Sequence, residues 1–339
     1  MTGRVEGVGT FTVGASTVRI VTDCAGDISA LVQAEEQVVR RLVERGAWPH
    51  ETVTLFALDS LAPLVGQLKA MGRLMDDDLV SLPHRPMVVL YDPRHATECF
   101  VFVNRQIMIA EQLWGDPLAA EGLLAHEHAH PLSEAPVTAA ARTLKVEAAG
   151  PAALAPLAAR LGETLSSGAT TELLANAFCL AHGFGDALRH VNRITLRRAA
   201  RNLAQRPELE QRVAAAVAAG TLPPDQVPVL LRLADAQIAL PFALEVVPFV
   251  RAGLAAHAAE LESLLTAELL SRMAPEVAGI YHDLKGPFAA LRPEWGTVPL
   301  SAWVDDILSR LSAFLSQSGA PLTLSLVPAD PPHVEGNLP

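Results

Sequence analysis

The sequence predicts an α+β fold, with a small mixed sheet and one motif-bearing helix in the N-terminal half and a mainly α-helical C-terminal half. Two observations carry this. From Thr10 to about Ala110, short β-branched or apolar runs alternate with helical ones, whereas almost everything from Pro117 to Ser318 has helical periodicity broken by prolines. The 339 residues, half of them hydrophobic, suffice for one large or two ordinary cores. The boundary is expected near residue 185, giving units 1–185 and 186–339.

The elements follow in order. Thr17 to Thr22 and Thr52 to Ala57 read as strands, each followed by a helix, Ile28 to Glu44 and Leu61 to Met71. Met87 to Tyr91 is a third short strand closed by Asp92-Pro93. Glu98 to Ala110 reads as two strands meeting near Asn104-Arg105. Asp116-Pro117 is a helix start, an N-cap with proline at the first helical position. Helices are then expected around Thr138 to Ala148, Pro151 to Leu165 and Thr171 to His182, the last ended by Gly183. Helical segments punctuated by prolines continue to Ser318, with a final strand at Leu322 to Val327 before a Pro-rich tail.

Composition narrows the function classes. Cys24, Cys99 and Cys179 are odd in number and scattered, which suits reduced thiols rather than a disulfide framework. The first residues lack the pattern of a secretory signal, so a soluble, cytoplasmic protein is expected. The apolar run Gln237 to Val250 is short for a bilayer span and reads as core. A formal charge of −11 repels phosphate backbones, and the basic cluster Arg189 to Arg201 has no interleaved aromatics, so nucleic acid is not an expected partner. That cluster reads as a solvated helix face.

Chemistry concentrates in Gly122-Leu-Leu-Ala-His126-Glu127-His128-Ala-His130, an HExxH pattern. Residues four apart share a helix face, so His126 and His130 can reach one Zn²⁺ while Glu127 lies close enough to act as general base on an activated water. A chance HExxH in a chain with 11 histidines has a probability on the order of 2%. His128 falls off the shared face and reads as a bystander or a supporting group. A catalytic zinc takes three protein ligands, and Glu172 is the best third candidate, with Glu134, Glu147, Glu163 and His182 as rivals. Asn176 lies one turn beyond Glu172 on the same face, where it could hydrogen-bond a ligand imidazole.

HExxH with a downstream Glu172-x-x-Ala-Asn176 resembles the gluzincin branch of zinc metallopeptidases and, locally, the ImmA/IrrE family of small cytosolic peptidases that cut repressor proteins. The resemblance covers roughly Glu98 to His182. It implies a zincin-like fold, a Zn²⁺ held by His126, His130 and Glu172, Glu127 as base, and Asn176 behind a ligand histidine. The segment between Pro131 and Glu172 is long for a minimal member, and proline follows the second histidine directly.

The expected activity is zinc-dependent hydrolysis of a peptide or protein substrate. Tyr281 or His282, read as a polar, glycine-flanked interruption between Gly279 and Gly286, could supply a donor for the developing oxyanion. Gln106 to Ala110, read as a strand, could pair an extended peptide. The alternative is a non-catalytic or regulatory zincin-like protein that binds a protein partner through its helical half.

Overall fold

The computed structural model describes residues 6–24, 26–65, 82–91, 97–317, 319 and 321–328. It is a mixed α+β protein with a five-stranded sheet near the N-terminus and a largely helical C-terminal part. The chain divides into two compact units, Met1–Ser133 with Ala175–Thr195, and Glu134–Leu174 with Leu196–Pro339.

The first unit is built on strands β1 (Glu6–Val13), β2 (Ser16–Thr22), β3 (Thr52–Leu58), β4 (Met87–Tyr91) and β5 (Glu98–Asn104), in sheet order β1-β2-β3-β5-β4. The two inner pairings, β2 with β3 and β3 with β5, are parallel. The outer two are antiparallel, so β4 is an antiparallel edge strand. Helix α1 (Ser29–Glu44) connects β2 to β3, as a parallel pairing requires a crossover. Val18, Ile20, Val53, Leu55, Val101 and Val103 alternate along their strands and form one buried face, with Leu31, Val38, Val39 and Leu42 of α1 also buried. The intervening residues Phe56, Phe100, Phe102, Val88 and Leu90 gather on the other face around Leu58, Leu61 and Leu82.

Three expectations are corrected in this region. Glu98 to Ala110 is not a hairpin: β5 ends at Asn104, and Arg105–Ala110 is a short helix, α2. Asn104 forces the change, because its side chain caps α2 by accepting from the Ile107 N–H. The antiparallel partner of β5 is β4 instead. Thr138 to Ala148 is not one helix but helix α4 (Pro136–Ala141) followed by strand β6 (Leu144–Ala149). Strand β1 also starts earlier than the periodicity suggested. The expected helix from Leu61 runs beyond the described residues after Val65, and Asp92-Pro93 and the Pro-rich tail lie outside them.

Helix α3 (Pro117–Leu132) carries the HExxH motif and packs on α1 and β4. Pro131 sits in its last turn, where the missing N–H costs little of the helix. Helix α5 (Ala155–Leu165) lies in the second unit. Helices α6 (Ala169–Ala181) and α7 (Gly185–Ala204) each begin in one unit and end in the other. The rest of the second unit comprises α8 (Arg206–Ala218), α9 (Val227–Ala239), α10 (Phe242–Arg251), α11 (Ala255–Glu268), α12 (Pro275–Ala290), α13 (Thr297–Ser316) and strand β7 (Thr323–Pro328). Strand β7 pairs antiparallel with β6, so this unit is not purely helical. The stretch Pro224–Arg251 is long and apolar enough by length and composition to cross a bilayer, and 67% of its apolar window is buried, as in a core helix.

Candidate metal centre

The motif helix is fixed at its start by Asp116. Its Oδ1 accepts the N–H groups of Leu118 and Ala119 at 3.0 Å each, and its Oδ2 lies 2.7 Å from His190 Nε2 on α7. Burial alone would raise the Asp116 carboxyl, but His190 and the two N–H groups hold it below the usual carboxylate range. One turn on, Gly122 lets α7 approach. A Cβ there would stand 2.7 Å from the Ala187 carbonyl oxygen and 2.8 Å from Val191 Cγ2. These contacts hold the helix four residues before the first histidine.

His126 and His130 then project side by side, their ring centroids 4.8 Å apart and their planes at 86°. Each is half-buried, as is Glu172, and one ligand atom from each of the three lies within 4.8 Å of the others. Glu172 stands in the first turn of α6, one turn before Asn176 on the same continuous helix. Asn176 is buried, and its Oδ1 is 3.0 Å from His126 Nδ1. With Oδ1 accepting, Nδ1 carries the proton and Nε2 offers its lone pair, the tautomer a metal requires. Two nitrogens and a carboxylate oxygen in this spacing could hold a metal ion.

Glu127 sits next to His126 on the same helix. Its Oε2 accepts the backbone N–H of Val89 on β4 at 3.0 Å. Nothing in the sequence signalled this bond, since it joins residues 38 apart through sheet register.

His128 is more than a bystander. It is fully buried, with Nε2 at 3.0 and 3.1 Å from the two oxygens of buried Glu35 on α1, and Nδ1 4.0 Å from Cys99 Sγ on β5. The Trp48 ring meets it edge-on at 4.9 Å. Burial pushes the imidazolium down, but the Glu35 charge and the hydrogen bonds that His128 makes to Cys99 and Glu35 raise its pKa to about 10, which favours the protonated form at neutral pH. A signal for this pair was legible: Glu35 interrupts the apolar face formed by Leu31, Val38 and Leu42.

The rivals for the third ligand are engaged elsewhere. Glu134 binds Arg142 and Thr138, Glu147 lies beside Lys145, Glu163 is exposed, and His182 Nδ1 is 2.8 Å from the Phe178 carbonyl oxygen.

The setting expected for Tyr281 and His282 is corrected. Gly279 to Gly286 does not interrupt the helical region but lies inside α12, because glycine costs a helix about 1 kcal/mol and buried Val277, Ile280, Leu284 and Phe288 outweigh that. Tyr281 is buried, its hydroxyl has no hydrogen-bond partner among the described residues, and burial together with Glu262 pushes its pKa up. His282 is exposed. A phenol enclosed in this way is not presented to a substrate.

Comparison with family models, curated proteins and solved structures finds no match to this chain.

Proposed function

We propose that this chain is a zinc-dependent hydrolase of peptide bonds with a zincin-like first unit. The observation that carries the reading is the convergence of His126, His130 and Glu172, whose ligand atoms lie within 4.8 Å of one another, beside the motif glutamate. These three residues would hold the ion. Bound there, zinc supplies Lewis acidity that brings a water toward ionisation near neutral pH and polarises a carbonyl.

Glu127 takes the proton from the attacking water on one carboxylate oxygen and returns it to the leaving amine. Asn176 keeps His126 in the ligating tautomer and fixes its ring plane. A purely structural zinc would need a fourth protein ligand, and among the described residues the cluster has three members. His128 is committed to Glu35, and His182 Nδ1 to a backbone carbonyl.

Peptide pairing is reassigned. Gln106 to Ala110 is helical and cannot add a strand, whereas β4 is an antiparallel sheet edge that reaches Glu127 through Val89. An extended substrate is expected along β4, held by backbone groups.

The test is to incubate zinc-loaded wild type and Glu127→Gln with a mixed peptide library and read new termini by mass spectrometry. Cleavage by the wild type that drops at least about 100-fold in Glu127→Gln supports the reading. Equal product from both proteins, or none from either, rejects it.

A further inference from the structure

The Val89 backbone N–H does more than end a sheet. In an antiparallel pair, alternate residues turn their N–H and C=O groups toward the partner strand and the intervening ones turn them away. Asn104 N–H donates to the Pro86 carbonyl at 2.9 Å, and the register runs Met87 to Val103, Val88 to Phe102 and Val89 to Val101. Residues 86, 88 and 90 therefore face β5, while Met87, Val89 and Tyr91 face the sheet's outer edge. Among the described residues, that edge has no further strand in the sheet order. The Val89 N–H is thus an edge donor, and what it meets at 3.0 Å is Glu127 Oε2.

We infer that the Val89 N–H, on the edge of β4, is the positioning group of Glu127, holding Oε2 so that proton transfer runs through Oε1. The inference rests on the hydrolase reading above. A glutamate side chain on a helix has three rotatable bonds, and one charge-assisted hydrogen bond from rigid backbone removes much of that freedom. Strand β4 is rigid because it is tied along its length to β5, and α3 is tied to it by packing. The carboxylate is therefore held from two elements at once. The same bond occupies the Val89 edge donor, so an extended ligand on β4 does not pair through that N–H.

Two measurements test this. The first needs no activity: site-resolved amide exchange of wild type and Glu127→Ala. The Val89 amide is expected to exchange at least about 10-fold faster in Glu127→Ala, with Val88 and Leu90 unchanged, since those two donate to β5. Equal Val89 exchange in both proteins overturns the inference.

The second compares Val89→Pro, which deletes the N–H at an edge position where proline is tolerated, with Val89→Ala, which keeps it. With zinc content equal to wild type, Val89→Pro is expected to lose about 10- to 100-fold in kcat with little change in KM, and Val89→Ala, which keeps the N–H, to lose at least about 5-fold less than Val89→Pro. Unchanged kcat in Val89→Pro, or equal losses in both variants, overturns the positioning role. If Val89→Pro does not fold, the exchange measurement decides, because it leaves β4 intact. If wild type and Glu127→Gln are equally inactive on peptides, the hydrolase reading falls and the catalytic role with it, while the exchange data still report the contact separately.

Discussion

Removing one member of the buried Glu35–His128 pair should destabilise the protein more than removing both. Both side chains are 0% exposed, and Nε2 lies 3.0 and 3.1 Å from the two carboxylate oxygens. Glu35→Gln leaves His128 without its counter-charge, and the imidazolium must give up its proton. Burial pulls His128 toward the neutral form and the Glu35 charge is the largest of the causes that oppose it, so its removal leaves burial to prevail. Loss of one partner from a buried pair typically costs about 3–5 kcal/mol, and a loss of that size is expected here. His128→Gln strands the Glu35 carboxylate in the same apolar setting and should cost a similar amount. Glu35→Leu with His128→Leu removes both charges and both desolvation penalties, so it should lie within about 2 kcal/mol of wild type. The assay is urea unfolding of the metal-free proteins at pH 7, read as midpoints at constant m, because bound metal would add its own stabilisation. Single variants within about 1 kcal/mol of wild type, or a double variant equal to the sum of two large losses, would refute the reasoning.

Gly122→Ala should cost about 1–3 kcal/mol, because its Cβ meets backbone as well as a side chain of α7; an unchanged urea midpoint would contradict that packing. Asp116→Asn keeps a capping oxygen but loses the charge beside His190. The Asp116 carboxyl is held low in the folded state, so its contribution is present above about pH 4 and is lost as pH falls through the depressed folded value. The variant should therefore be less stable by no more than about 1 kcal/mol at pH 7, a gap that closes at strongly acidic pH, and a gap independent of pH would refute the assignment. Asn176→Ala should weaken zinc binding by about 10- to 100-fold in chelator competition, and unaltered affinity would remove Asn176 from the site.

The motif helix was legible because its signals are local: Asp116-Pro117 at the start, then two histidines at helical spacing. Glu172 and Asn176 were legible for the same reason, one turn apart on α6. Asn104 misled because the apolar run continues through it, although Ile107 and Met108 at helical spacing after a capping residue carried the correct message. Leu144-Lys145-Val146-Glu147 alternates with the period of a strand, and the alanines around it obscured that. Glycines at 279 and 286 suggested a break that the buried residues of α12 override. Contacts set by sheet register, such as Val89 with Glu127 and Cys99 with His128, join distant residues and have no local signature.

If His126, His130 and Glu172 hold one zinc ion, elemental analysis of purified protein after zinc repletion will show it. Wild type should carry about one zinc per chain, and His126→Ala and Glu172→Ala should each lose it while keeping the wild-type circular dichroism spectrum. Zinc retained in Glu172→Ala would move the third ligand elsewhere, and a wild type that binds none would contradict the account.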